Sequence, residues 1–182
     1  FLLHVGSFDK RKDLITLVKA FKLLKDDKAN DHLKLVLAGQ KILNGNEVVL
    51  NELDSYILTN NLSKSILMTG YLSRAEICSL YNKAFVYVFP SIEEGFGIPI
   101  LEAFALKTPV VTSNAAAMVE IADGAAQHYN AGNYTELFKT LTKLINSKSE
   151  RTHLIEKGSE RVKDFSREKF IKDYEQFILN SV

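Results

Sequence analysis

The chain holds one cysteine, three prolines, no tryptophan and a net charge of only +1 over 182 residues. Each scarcity removes a class of protein. A single thiol, Cys78, cannot form an internal disulfide, so no covalent staple holds the fold and a reducing compartment suits it. Set among Ile77, Leu80 and Tyr81, Cys78 is expected to pack. The balance of 23 basic against 22 acidic residues gives no electrostatic footprint for nucleic acid. No apolar run approaches the roughly 20 residues of a membrane-spanning helix, and no signal peptide is read at the start. His4, His32, His128 and His153 are scattered, with neither HExxH nor Cys/His ligand spacing, so no metal is expected. His4, inside a strand, reads as a hydrogen-bonded core residue. GxSxG, GxGxxG and GxxxxGK[ST] are all missing, which argues against a serine-hydrolase elbow, a dinucleotide fingerprint and a P-loop.

What remains is an ordinary globular balance, 46% hydrophobic and 25% charged, enough for one domain with a full core. Short apolar runs alternate with amphipathic stretches. FLLHVG (1–6), LKLVLAG (33–39), SILMTG (65–70), FVYVFP (85–90), PVVTS (109–113) and AAQHY (125–129) read as strands. Leu14, Leu17, Val18, Phe21 and Leu24 recur at helical spacing. A polar Asn/Gly loop and a helix over roughly 46–59, then SRAEICSLYNKA (73–84) and GFGIPILEAFAL (95–106), supply further crossovers. Uninterrupted apolar strands imply burial on both faces, as in a parallel sheet. Strand and helix in alternation imply a doubly wound, Rossmann-like α/β domain of about six strands. Past about residue 133 the pattern is helical only: Tyr134 to Ile145, Leu154 to Val162, Phe170 to Ile178. The expected organisation is a single domain over 1–182, with the sheet to about 132 and a helical tail over about 133–182. That tail packs on the sheet or reaches another domain. Opening at Phe1, inside an apolar run, the sequence reads as part of a longer protein.

The richest stretch is PSIEEGFGIPILEAFALKTPVV, Pro90 to Val111. A Gly turn feeds a helix with Pro99 near its start, and a helix start offers unpaired N–H groups and a positive dipole end to a phosphate. Glu94 and Glu102, with seven residues between them, supply acceptors for sugar hydroxyls. Anion and polyol in one small space point to a sugar nucleotide. Glu93 competes with Glu94 but reads as solvated; Glu102, on the side of Ile98, faces the ligand rim unless it is merely a dipole partner. Doubly wound folds bind ligands at the carboxyl ends of their strands, where Gly6, Gly39, Gly70 and the 90–98 turn all fall. The alternative is that glycine simply ends strands there. In VGSFDKRKDL, three cations (Lys10, Arg11, Lys12) stand where a βα turn enters the same cleft, and at least one is expected to reach a diphosphate, Lys12 and then Arg11 being the candidates. A solvated cluster is the alternative, disfavoured at a helix start.

These segments, with MTGYLSRAEICSLYNKAFVYVFPSIEEGFGIPILEAFALKTPVVTSN and EIADGAAQHY in order, resemble the C-terminal half of a group 1 (family 4) retaining glycosyltransferase. That family has two Rossmann-like domains facing across a cleft, the GT-B fold. The resemblance implies that the donor's phosphates lie against the Gly6 turn, Lys12 and the backbone at Gly97 and Ile98. It implies that Glu94 and the Phe96–Gly97 backbone contact the donor sugar, that Glu102 holds the ribose, and that Tyr71, Leu72 and Ser73 meet the base. Many relatives carry Arg after the first glycine, where this chain has Ser7; Arg11 is the candidate substitute, and Gly39 completes the donor-side rim. The implied reaction transfers a hexose, mannose or glucose type, from a nucleoside diphosphate sugar to an acceptor hydroxyl with retention, without a metal cofactor. The implied setting is cytoplasmic, possible peripheral contact with the membrane included, and the acceptor is a glycan or glycolipid bound by an N-terminal domain outside this chain. Without that domain the chain is expected to bind the donor but transfer nothing. Rival readings are a sugar-nucleotide epimerase, a phosphorylase (no pyridoxal-lysine motif is seen) and a non-catalytic sugar-nucleotide-binding domain. Activity of a complete chain and nucleotide titration discriminate among them.

Overall fold

A computed structural model describes residues 1–41 and 47–180. The polar Asn/Gly loop and the predicted helix start at 46 fall on residues outside that range. Six parallel strands, β1 (Leu2–Val5), β2 (Leu35–Ala38), β3 (Ile66–Met68), β4 (Val86–Phe89), β5 (Val110–Ser113) and β6 (Gln127–Tyr129), form one sheet in the order β3-β2-β1-β4-β5-β6. β1 is therefore flanked by β2 and β4, and the order reverses beside it, the topological switch point at which such sheets bind ligands.

The strands form because Val, Leu, Phe and Tyr runs fit a pleated surface covered on both sides. β1, β2, β4 and β5 are buried as expected, apart from the partly buried Val5. β3 departs from the expectation of two-sided burial: Leu67 is 58% exposed, because β3 is the sheet edge. One face is covered by α1 (Leu14–Lys25), α2 (Glu47–Thr59) and α6 (Tyr134–Asn146), which bury Leu17, Phe21, Leu53 and Leu141. The other is covered by α3 (Arg74–Lys83), α4 (Ile98–Ala105) and α5 (Ala116–Ala122), around Tyr81, Tyr87, Phe89 and Phe104. α5, AAMVEIA, was not foreseen: it is short, its N-cap Ala115 offers no side chain, and small residues hide its period.

The helical tail divides. α6 packs against α1, and α7 (Lys148–Arg161) against α4. α8 (Arg167–Asn180) leaves the body, with Phe170 68% and Phe177 68% exposed. Cys78, expected to pack, is half-buried on the wall of a cavity described below.

His4 is fully buried in β1, with Nδ1 3.1 Å from the Val88 carbonyl. Burial pushes its pKa down from 6.5 to about 4, the Val88 hydrogen bond opposing. Folded protein therefore binds fewer protons than unfolded chain, so the contribution to stability is complete above pH 6.5 and is lost as pH falls toward 4. The loss amounts to roughly 3 kcal/mol. Urea unfolding at a series of pH values should show that decline in the wild type and a flatter profile in His4→Phe.

Candidate functional site

The site grows from the ends of β1, β2 and β3. Gly6 N donates to Ala38 O at 2.9 Å, and Gly39 N to Gly70 O at 3.2 Å, so three strand-ending glycines lie side by side. A Cβ on Gly39 would stand 1.8 Å from Gly6 O; glycine is required there by the neighbouring chain before any ligand is considered.

After Gly6 the backbone makes a one-turn 3-10 helix, Lys10–Lys12, capped by Asp9, which accepts from Arg11 N at 3.0 Å. Ser7 Oγ donates to the other Asp9 oxygen at 2.8 Å. Three residues per turn send successive side chains in three directions. Of the three cations at the entry to the cleft, Lys10 and Arg11 are exposed and Lys12 turns inward. Arg11 Nε lies 3.5 Å from Asp9, with 57% of its side chain exposed. Its backbone matters instead, because Arg11 O accepts from Ile92 N at 2.8 Å and ties the 3-10 turn to the loop after β4.

That loop carries Glu94. Lys12 Nζ donates to Glu94 Oε1, with side-chain exposures of 10% and 14%, and the ammonium stands 5.0 Å from the centre of the Phe89 ring. Two residues 82 apart in sequence thus meet as a nearly buried ion pair at the switch point. Glu93 is exposed. Gly97, at φ +98°, is the N-cap of α4, and no side chain caps that terminus. A β-carbon would be strained at such a φ, and no side chain hydrogen-bonds the first amides of α4. The Phe96 ring packs edge-on against Phe165, centroids 6.0 Å apart.

Glu102, on α4, lines a cavity of about 670 Å³ with Tyr71, Leu72, Ile77, Cys78 and Tyr81. A second, of about 170 Å³, is lined by Gly6, Gly39 and Gly70 and shares Tyr71, Leu72 and Ile77 with the first. Burial, with the Glu102 carboxylate adding to it, raises the Tyr81 phenol far above its ordinary range. Ser73 is engaged elsewhere: its hydroxyl and its amide both bond Glu76, in the capping box that starts α3. Among the described residues no cluster of His, Cys, Asp and Glu could hold a metal, and no helix is long and apolar enough to cross a membrane.

The structure therefore brings Lys12 to Glu94, Gly6 to Gly39, and Tyr71 and Leu72 to Glu102. It turns Ser7 and Arg11 to Asp9, and Ser73 to Glu76. Asp9 was missed; an Asp two residues before the amide it caps is a legible Asx-turn signal. Phe89 and Phe165 carried no sequence signal of their own.

A nearly buried Lys12–Glu94 ion pair and a helix start without a side-chain cap lie at the switch point of a doubly wound, Rossmann-like sheet. The chain belongs to the family of group 1 glycosyl transferases, which it matches over residues 1–161. It is 32% identical over 177 residues to an uncharacterised glycosyltransferase of Methanocaldococcus jannaschii, covering 94% of this chain and 45% of that protein. It is 27% identical over 145 residues to a serotype-specific mannosyltransferase of Escherichia coli, covering 80% of this chain and 17% of that one. An Anabaena protein solved in complex with UDP has the same fold, with a TM-score of 0.85 at 19% identity over 100% of this chain and 48% of its own. The chain thus spans half or less of the length of these proteins.

Proposed function

We propose that this chain is the donor-binding half of a retaining glycosyltransferase that moves a hexose, of mannose or glucose type, from a nucleoside diphosphate sugar to a hydroxyl of a glycan or glycolipid. The observation that carries this reading is the Lys12–Glu94 pair set against the capless amides of Gly97 and Ile98. When the sugar–phosphate bond breaks, negative charge gathers on the departing diphosphate. The ammonium of Lys12 and the α4 terminus are already oriented to meet that charge, while Glu94 accepts from hydroxyls of an oxocarbenium-like sugar. Charge stabilisation here needs no metal. Glu102, on the larger cavity, accepts from the ribose, and Tyr71 and Leu72 flank the base through their backbone. Transfer needs a further, acceptor-binding part; the relatives extend well beyond the length matched by this chain. The mannosyltransferase relative supports the sugar class and the UDP-bound neighbour supports the ligand class.

Calorimetric titration of the chain with UDP, GDP and ADP tests the reading. One nucleotide should bind in preference, and Glu102→Ala should weaken it about tenfold or more, the loss of a charge-assisted hydrogen bond. Absence of binding by all three would end the proposal.

A further inference from the structure

Beneath the Gly6 turn lies a polar atom without a partner. A carbonyl only accepts, so the contact of His4 Nδ1 with Val88 O at 3.1 Å puts the proton on Nδ1. In the neutral ring, Nε2 is then a bare lone pair. It is buried and has no hydrogen-bond partner among the described residues. A Cβ on Gly6 would lie 3.2 Å from Nε2 and 3.7 Å from Lys12 Cε, so the imidazole edge, the glycine and the end of the lysine chain converge. His4 stacks on Phe89 at 6.4 Å, the same ring over which the ammonium stands at 5.0 Å.

This geometry decides the kind of partner. A phosphate oxygen is excluded, because two acceptors would face each other. The charged groups near His4 are Lys12 and Asp9, and the Asp9 oxygens already accept from Ser7 and Arg11. Lys12 brings three N–H groups, of which Glu94 takes one.

We propose that His4 is a positioning residue for Lys12, its Nε2 being the acceptor to which the ammonium turns when Glu94 is occupied by ligand. The exchange by ligand rests on the reading of Glu94 as a sugar contact; the His4–Lys12 pairing itself does not. A buried ammonium stripped of its acceptor is costly. With His4 behind it, Lys12 leaves Glu94 without being stranded and keeps its remaining N–H groups aimed at the turn.

The test follows the imidazole nitrogens of His4 by long-range 1H–15N correlation in the labelled chain. Glu94→Gln removes the competing carboxylate with no ligand present. The Nε2 resonance should then leave the position of a bare imine nitrogen for that of a hydrogen-bonded one, and should return in Glu94→Gln/Lys12→Met. An unmoved Nε2 in Glu94→Gln, or a shift that persists in the double variant because water is the donor, overturns the proposal. A second arm titrates whichever of UDP, GDP and ADP binds best. His4→Asn keeps a donor for Val88 but has no acceptor at the Nε2 position, and should weaken binding about tenfold. His4→Gln, whose carbonyl reaches that position, should restore affinity to within about threefold of wild type. A packing role predicts the reverse order, since Gln forfeits the Val88 bond, and either that order or equal affinities overturns the proposal. If no nucleotide binds the wild type, the donor-site reading fails, and the Glu94→Gln spectrum alone decides for His4.

Discussion

Lys12→Ala, carried on a catalytically complete chain, should lower glycosyl transfer about a hundredfold or more, the roughly 3–4 kcal/mol that one preorganised charge-stabilising group supplies. The size of the effect follows from burial. With 10% of its side chain exposed and Glu94 at 14%, the ammonium acts where water screens poorly, so its attraction for a forming diphosphate is strong. The loss should fall on turnover more than on substrate affinity, because charge on the leaving group grows toward the transition state. Removing Lys12 also leaves the Glu94 carboxylate without its cation, a destabilisation of about 1–3 kcal/mol. Thermal unfolding of the same variant separates that cost from chemistry. A fall in turnover under threefold would remove Lys12 from the mechanism.

Gly39→Ala should destabilise the fold by about 3 kcal/mol or more, lowering the melting temperature by roughly 6–12 °C for a domain of this size. The added Cβ would lie 1.8 Å from Gly6 O and 2.8 Å from Gly6 C, both backbone atoms of a central strand end, so no side chain can yield. The residue's φ of +150° adds strain. Either β1 and β2 separate at their carboxyl ends or the Gly6 turn moves, and nucleotide affinity should fall with stability in both cases. Two neighbours serve as controls. Gly70→Ala meets nothing within 4 Å but holds φ +71°, so it should cost about 1–2 kcal/mol. Gly95→Ala meets nothing and has no unusual φ, so it should be nearly neutral. Equal melting temperatures for Gly39→Ala and Gly95→Ala would refute the close-approach account.

Much of this molecule was legible in one dimension because the signals were local. All six strands and the helices α1, α3, α4, α6, α7 and α8 lie where apolar period and Gly/Pro punctuation placed them. Hydrophobic patterning records which way a side chain faces, and that is enough to identify buried strands and amphipathic helices. The exceptions are instructive. β3 reads as a strand buried on both faces because position in a sheet leaves no mark on a triplet such as Ile66–Met68. α5 was missed because alanine-rich sequence has little period to read.

At the site the division is sharper. The sequence by itself set the residue inventory: one lysine and two glutamates around a glycine-rich helix start, glycines at strand ends, and a doubly wound order that sends them to one rim. Spacing along the chain carries that much, since strand ends and helix starts are local events. Only the tertiary structure decided which of three consecutive cations turns inward, since a 3-10 turn aims neighbours apart. It alone joined Lys12 to Glu94 across 82 residues, set Gly39 against Gly6, and left the His4 lone pair buried under the turn. Such pairings depend on strand order and register, which bring distant segments within a few ångströms, and no local pattern encodes a distance between elements that meet only after folding.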